Sequence, residues 1–268
     1  MRSEQIQGIG KAQQLTREVI LEVARGVRPY DTERVVAGRI EHALERAGVH
    51  RFLHTGYAWW GDRTRFARFH VWEADALPTE RRLQPGEPFI LDVAPLVDGW
   101  PADFAFSGVA GDAEPPPAHA ELLKELEQIK RDLVRWAREA PTGGDICALV
   151  DTSMRANGRE VVHTRYPAGV LGHSFEGFPN ALGNVPRIGS GFQIPLVGNI
   201  ALAIGAHHLL GKPYPFLNEG APGKPQGLYA VEPHLAQGEV GAKFESVLLI
   251  DGDETRWLDP GLFGEVSP

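Results

Sequence analysis

Five side chains of this 268-residue sequence interrupt apolar segments with groups that bind metal ions. They are Asp92, Asp103, His173, Glu232 and Glu245. A lone charge inside an apolar strand costs several kcal/mol unless it is paired or metal-bound. Taken singly, each acid is more typical of a surface charge at the end of a strand, so the interpretation depends on the whole set.

Together, the four carboxylates and the imidazole suit two divalent cations when some carboxylates bridge, because the ions offset charges that would otherwise repel. Such a pair of ions lowers the pKa of a bridging water and holds the substrate oxygen that this water attacks. An oxygen-rich set with one histidine favours manganese, cobalt, iron or zinc over calcium. The spacing alone leaves this metal centre and a group of unrelated surface charges about equally open.

The first two acids are predicted to lie on one β-hairpin. Apolar runs at 89–97 and 102–106 flank residues that are typical of turns. These turn residues are Asp98, Gly99 and Pro101. The antiparallel return brings Asp92 close to Asp103.

The last two acids repeat this arrangement. Glu232 and Glu245 lie 13 residues apart in apolar segments, on either side of a predicted turn at Gln237-Gly238. The only nitrogen ligand of the set comes from His173, between Gly172 and Ser174.

The elements before each hairpin are predicted to be helices. The first 48 residues form two helices, the second capped at Asp31/Thr32 and ended by Gly48. Amphipathic spacing predicts two more helices at 118–139 and about 145–156. Residues 14–19 resemble residues 128–133 at an offset of 114, with Asp31 matching Asp145 as helix starts. This weak repeat indicates an internally duplicated α+β domain, with chance similarity as the alternative.

The composition is that of a folded soluble chain, at 43% hydrophobic and 23% charged residues. With 35 acidic and 27 basic side chains, the net charge of −8 argues against a nucleic-acid partner. The start has no apolar core of a signal peptide, and the apolar stretch 194–210 is broken by polar residues, so neither export nor a membrane partner is expected. A cytoplasmic location and a buried, structural Cys147 follow as predictions.

Four motifs carry a resemblance to a known family. They are Leu-Gln-Pro-Gly-Glu-Pro-Phe-Ile-Leu-Asp at 83–92, Leu171-Gly172-His173, Val231-Glu232-Pro233 and Lys243-Phe244-Glu245. With Asp103, their order from about His70 to Ile250 resembles the creatinase/methionine aminopeptidase superfamily, the pita-bread metallopeptidases. The resemblance implies a pseudo-twofold α/β (α+β) fold, with an antiparallel sheet flanked by helices.

The resemblance also implies a role for each ligand. Asp92 would chelate one ion, Asp103 and Glu245 would bridge two ions, and His173 and Glu232 would complete the second position. The expected cofactors are two divalent ions per chain. Residues 1–268 would form a single catalytic domain with an insert at about 180–225.

Within the superfamily, the short Glu232–Glu245 spacing and the Glu232-Pro233 step resemble the Xaa-Pro aminopeptidase and prolidase branch. That branch implies an aminopeptidase or dipeptidase that acts on small peptides through a metal-bridging hydroxide. Glu232 would carry the proton from this nucleophile to the leaving amine. His70 stands where the family places a substrate-contacting histidine, with an ordinary surface histidine as the alternative.

Three departures from the family pattern keep a second reading open. Asp103-Phe104-Ala105-Phe106 stands where the family usually has Asp-x-Thr-Arg, Asn180 stands where most family peptidases have a histidine, and Lys243 replaces an arginine. Asn180 can donate a hydrogen bond to substrate but cannot carry a proton. The alternative is therefore a non-peptidase enzyme on the same scaffold, such as a creatinase-like C–N hydrolase or a metal-dependent lyase. A binding module without catalysis is a third hypothesis, disfavoured by the complete ligand set.

Three further features have open roles. The insert is either a lid over the substrate or an apolar contact of a possible homodimer. His163, on a predicted strand, is either a substrate-binding or a structural residue. Arg63, Arg65 and Arg68 follow Trp59-Trp60, either to hold a substrate carboxylate or as part of a solvated loop.

Overall fold

Two helices begin the chain, as the sequence predicts. The computed structural model describes residues 3–70, 72–111, 114–175, 209 and 214–259. Helix α1 spans Ser3–Arg25 and α2 spans Glu33–Arg46. Thr32 is the N-cap of α2, where its hydroxyl accepts a hydrogen bond from the Val35 N–H at 3.3 Å. The cap satisfies one of the backbone N–H groups that the first turn of a helix leaves without a partner.

An antiparallel sheet follows these helices. Its elements are β1 (Phe52–Trp60), a 3₁₀ turn (Gly61–Arg65), the short helix α3 (Trp72–Asp75), β2 (Pro88–Val97), β3 (Trp100–Pro101) and β4 (Phe104–Val109). Strand β2 pairs with β1 on one side and with β4 on the other. Asp98 and Gly99 adopt positive φ angles of 50° and 82° at the turn after β2. The predicted hairpin is therefore confirmed.

The second half again begins with two helices, α4 (Pro117–Glu139) and α5 (Gly143–Ala156). The strands that follow are β5 (Glu160–Val161), β6 (Gly172–Ser174), β7 (Phe216–Leu217), β8 (Gly227–Val231), β9 (His234–Gln237), β10 (Val240–Lys243), β11 (Ser246–Ile250) and β12 (Arg256–Trp257). In the described part of the chain they form two further antiparallel sheets, in the orders β10-β9-β5 and β12-β11-β8-β6-β7. The predicted turn at Gln237-Gly238 connects β9 to β10.

The helix pairs of the two halves have equal lengths. Helices α1 and α4 each contain 23 residues and start 114 positions apart, which agrees with the repeat in the sequence. Helices α2 and α5 each contain 14 residues but start 110 positions apart, because the loop before α5 is shorter. The match of Asp31 with Asp145 is wrong in detail: the equivalent caps are Thr32 and Thr142, and Asp145 is the third residue of its helix.

Each half has its own apolar core. One core lies between α1, α2 and the sheet of β1, β2 and β4, and the other lies between α4, α5 and the later strands. Cys147 is buried in the second core, where burial raises the pKa of its thiol to about 12, so its predicted structural role is supported. The mixed architecture of helices and antiparallel sheets confirms the predicted α+β class. Within the described residues, no helix is both long and apolar enough to cross a membrane.

Candidate metal centre

The five predicted ligands lie together where the sheets of the two halves meet. Asp92 is in the middle of β2 and Asp103 directly precedes β4, whereas His173 is in β6, Glu232 directly follows β8 and Glu245 lies between β10 and β11. All four carboxylates are buried. The alternative interpretation, in which each acid is an unrelated surface charge at the end of a strand, is therefore wrong.

Backbone contacts hold the two halves of the cluster in register. Ala105 and Glu245 form an isolated antiparallel bridge, in which Glu245 N–H donates to the Ala105 carbonyl at 3.2 Å. Gln13 of α1 fixes the Asp103 backbone, because its amide donates to the Asp103 carbonyl at 2.8 Å and accepts from the Asp103 N–H at 3.1 Å. The carboxylate of Asp103 is thus placed beside that of Glu245 by groups from three separate elements.

Gly172 allows β6 to approach β8 closely enough to present His173. A Cβ atom at position 172 would lie 2.3 Å from the Ala230 carbonyl oxygen, which no side chain can tolerate. His173 Nε2 then lies 3.2 Å from Asp103 Oδ2 and 3.9 Å from Glu245 Oε1. The imidazole therefore faces the two carboxylates that are expected to bridge.

Lys243 places an ammonium group inside the cluster. Its Nζ lies 2.8 Å from Asp92 Oδ2, 2.8 Å from Glu232 Oε2 and 3.1 Å from Glu245 Oε2. Burial alone would lower the pKa of this buried amine, but the three carboxylates raise the pKa well above its ordinary value. Lys243 is thus a fixed positive charge that stabilises three buried acids.

The hydroxyl that positions this lysine comes from Ser107 of β4. Ser107 Oγ donates to the Lys243 carbonyl at 2.6 Å and accepts from the Lys243 N–H at 2.9 Å. The family's threonine is expected two residues after Asp103, where this chain has Ala105. Its supporting hydroxyl lies two residues further along the strand and holds backbone rather than a ligand side chain.

His54 of β1 lies beside the cluster and is not among the residues predicted from the sequence. Its Nε2 lies 3.6 Å from both Asp92 Oδ1 and Asp103 Oδ1. Burial favours the neutral imidazole, yet the interactions with Asp103 and Asp92 raise the pKa of His54 to about 9. A polar residue in an apolar strand was the available signal, but His54 precedes the segment that carries the resemblance.

The buried acids of the cluster differ in the direction of their pKa shifts. Burial and the neighbouring Asp103 charge raise the pKa of Glu245 well above its ordinary value, and burial also raises the pKa of Glu232. Burial would raise the pKa of Asp103 as well, but its interactions with the His173 and His54 rings hold this pKa below its ordinary value. The cluster thus contains an acid that stays ionised next to acids that can hold protons.

The donor atoms fit divalent cations. His54, Asp92 and Asp103 form one group of ligand atoms within 4.8 Å of one another, and Asp103, His173 and Glu245 form a second such group. Asp92 Oδ1 and Asp103 Oδ1 are buried without a hydrogen-bond donor among the described residues. Buried carboxylate oxygens that lack donors are costly unless a cation neutralises them, so these atoms suit a metal ion.

Two further predicted site residues, His70 and His163, form hydrogen bonds with residues outside this cluster. His70 is exposed, and its backbone N–H donates to the Asp75 carboxylate at 2.6 Å. His163 begins a 3₁₀ turn rather than lying on a strand, and its Nε2 lies 3.0 Å from Asp151 Oδ1 of α5. Asn180 and most of the predicted insert lie outside the described residues.

The arginines after Trp59-Trp60 bind acids of the protein itself. Arg63 Nε donates to Glu33 Oε1 at 2.8 Å, and Arg65 Nε donates to Glu160 Oε2 at 2.8 Å. Both tryptophans are buried. The interpretation of this segment as a grip on a substrate carboxylate is not supported for Arg63 and Arg65, whose charges are already compensated.

Comparisons with known proteins agree with this geometry. A model of metallopeptidase family M24 matches residues 7–252. The chain is similar in structure to an X-Pro aminopeptidase from Thermotoga maritima, at 15% identity and a TM-score of 0.70, over 96% of this chain and 61% of that one. It is also similar to a prolidase from Pyrococcus furiosus, at 16% identity and a TM-score of 0.65, over 96% of this chain and 64% of that one.

A third similar structure is dipeptidase PepE from Mycobacterium ulcerans, at 16% identity and a TM-score of 0.69, over 97% of this chain and 59% of that one. At such identities the likeness shows the fold alone, and it confirms the predicted pita-bread architecture. The chain spans about three fifths of the length of these structures. Among curated proteins, none matches the chain.

Proposed function

We infer that this chain, which belongs to metallopeptidase family M24, is a two-metal hydrolase of the Xaa-Pro type that cleaves small peptides. One observation carries the proposal: Asp92 and Asp103 of the first half converge with His173 and Glu245 of the second half in one cluster whose donor atoms suit divalent ions. The Xaa-Pro preference is supported by the motifs in the sequence and by the names of the similar structures. Manganese as the native ion, a homodimer and a cytoplasmic location stay predictions.

The residues would hold two ions around a shared ligand. Asp103 belongs to both groups of donor atoms, one completed by His54 and Asp92 and the other by His173 and Glu245. Divalent ions in these positions would activate a water molecule and polarise the carbonyl of the scissile bond. Lys243 orients Asp92 and Glu245 through its contacts with one oxygen of each.

Glu232 is the proposed proton carrier. It is buried at the edge of the cluster, and burial raises the pKa of its carboxyl, so the group can both accept and release a proton. Lys243 contacts Oε2 of this side chain. The other oxygen, Oε1, would accept the proton of the attacking water and pass it to the leaving amine.

Substrate-binding roles for His70, His163 and Asn180 stay predictions. His163 is the weakest of the three, because Asp151 already accepts a hydrogen bond from its ring. His70 is exposed, and its backbone N–H is held by the Asp75 carboxylate.

A non-peptidase enzyme on the same scaffold is the second candidate. The observation that favours it is Lys243, whose compact ammonium replaces the family's arginine at the centre of the carboxylates. Arginine and lysine differ in geometry and hydration, so the pocket beside them presents a different surface to a substrate. A C–N hydrolase or a metal-dependent lyase would use the same ions on a different small molecule.

The test is metal content together with hydrolysis of a panel of Xaa-Pro and Met-Xaa peptides, with manganese, cobalt or zinc added. We expect about two ions per chain, and we expect Asp103→Asn to lower cleavage more than about 100-fold, since the loss of even a supporting partner of a metal ligand costs 10- to 100-fold. Asp98→Asn, an exposed change on the same hairpin, is the matched control.

Two other outcomes are decisive. Two bound ions without cleavage of any peptide would favour the non-peptidase enzyme. A chain that binds no ion under any supplementation would contradict both candidates.

A further inference from the structure

We propose that His54 is a metal ligand of this chain, which adds a nitrogen to the position that Asp92 and Asp103 would otherwise supply with oxygen alone. The proposal rests on the proposed function, because it concerns the same metal centre. It gives each of the two ions one imidazole: His54 for the first and His173 for the second.

The unshared oxygen atoms in the cluster face His54. Lys243 takes Oδ2 of Asp92, and His173 takes Oδ2 of Asp103. The Oδ1 atoms of the two aspartates are buried and have no hydrogen-bond donor within the described ranges, and both lie 3.6 Å from His54 Nε2. His54, Asp92 and Asp103 each therefore offer one donor atom, and these three atoms lie within 4.8 Å of one another.

The backbone selects the correct nitrogen for this role. His54 Nδ1 lies 2.9 Å from the Thr55 carbonyl oxygen, which can only accept a hydrogen bond, so Nδ1 carries a proton and donates it. In the neutral imidazole, Nε2 is then the nitrogen with a free lone pair. Metal-binding histidines typically donate their other ring N–H to a carbonyl or carboxylate in this way.

The strand is distorted at this position in a way that directs the side chain. The register of β1 against β2 shifts both between Phe52 and His54 and between His54 and Tyr57. Such irregularities re-aim side chains and are common next to active sites. The ring of Tyr57 stacks on the imidazole with 5.0 Å between ring centroids and 26° between planes, and limits its rotation. His54 is thus held in place before any ion arrives.

The alternative is that His54 is only an ion-pair partner of Asp92 and Asp103. The two roles predict different imidazole counts, which X-ray absorption spectroscopy of the cobalt- or zinc-loaded full chain measures directly. If His54 is a ligand, the loaded wild-type chain with two ions has an average of one imidazole per ion. If only His173 binds, the average is one half, which would overturn the proposal without the need for any variant.

A variant gives a second, independent test by titration calorimetry with zinc alone. We expect His54→Gln to weaken one of the two binding events at least about 10-fold, to leave the other unchanged and to lower the imidazole average to one half. His50→Gln, which changes an exposed histidine just before β1, should preserve both affinities and the imidazole count.

The outcomes separate this proposal from the proposed function. Two ions bound to His54→Gln with wild-type affinities and an unchanged imidazole count would refute the role of His54 and leave the metal hydrolase intact. A wild-type chain that binds no zinc would refute both.

Discussion

Lys243 is the residue on which the stability of the metal-free cluster depends. Its ammonium is the charge that lies within 3.1 Å of Asp92, Glu232 and Glu245. Removal of one partner of a buried ion pair is costly because the other charge stays buried without compensation. We therefore expect Lys243→Met to lower the free energy of unfolding of the metal-free protein by about 3 to 5 kcal/mol.

The measurement is urea unfolding with EDTA and with saturating zinc. Because divalent ions supply the missing positive charge, the loss should be smaller in zinc than in EDTA. Lys11→Met, on the exposed face of α1, is the matched control and should change stability by less than about 0.5 kcal/mol. An equal loss for Lys243→Met in both conditions would show that the lysine does not share its role with the ions.

Single residues also show how far the sequence could predict the site. The sequence predicts the five candidate ligands because charged residues in apolar strands are unusual and because their order resembles one family. The sequence also shows that lysine replaces the family's arginine at position 243. It does not show that the Lys243 amine contacts three acids, because these contacts depend on the close approach of β10 to β2. His54 could not be assigned, since β-strand irregularities on both sides of it redirect its ring.

Among the elements, α4 contains a buried histidine that should make the protein acid-sensitive. His119 is fully buried, and neither ring nitrogen has a hydrogen-bond partner among the described residues. Burial lowers the pKa of His119 to about 4. Below pH 6.5 the unfolded chain binds a proton at this residue that the folded chain does not, so stability is lost as the pH falls from 6.5 toward 4.

Because the pKa of His119 differs between the unfolded and folded states, the free energy of unfolding should fall with pH. Between pH 7 and pH 4.5 this fall should be about 2 to 3 kcal/mol larger for the wild-type protein than for His119→Leu. Urea unfolding at a series of pH values measures the two slopes. His42→Leu, on the exposed face of α2, should follow the wild-type curve. Parallel curves for the wild type and His119→Leu would mean that folding does not lower the pKa of His119.

Long amphipathic elements were the most predictable part of the fold. The helices were predicted to within a few residues because apolar stripes and caps are local signals, and the equal lengths of α1 and α4 agree with the repeat in the sequence. Strands of two or three residues, such as β5, carry too little alternation to be recognised. The prediction of a strand at His163 failed because a 3₁₀ turn there depends on long-range contacts to Asp151 and His234.

At the scale of the whole molecule, the metal centre requires both halves of the fold. The first half supplies Asp92 and Asp103, and the second half supplies His173, Glu232 and Glu245. An ion that binds only this assembled arrangement stabilises the folded state by mass action, by about 4 kcal/mol when the ion concentration is 1,000 times its dissociation constant. Metal binding is therefore expected to raise the unfolding temperature of the entire chain.

Scanning calorimetry with and without zinc should show an increase on the order of 10 °C for the wild-type protein. Asp103→Asn, which changes the ligand shared by both donor groups, should lose most of this increase, whereas Asp98→Asn should keep it. A transition that splits in two, with only one part shifted by zinc, would mean that the ions bind within one half.

The ammonium group of Lys243 also determines which ions gain from entering the cluster. A single positive charge is already fixed among three carboxylates, so a sodium or potassium ion brings no more charge than the protein itself supplies there. At the same distance, a divalent ion gains roughly twice the Coulomb energy from the remaining carboxylate charge. The carboxylate charge that Lys243 leaves uncompensated therefore favours a divalent ion over a monovalent ion at this centre.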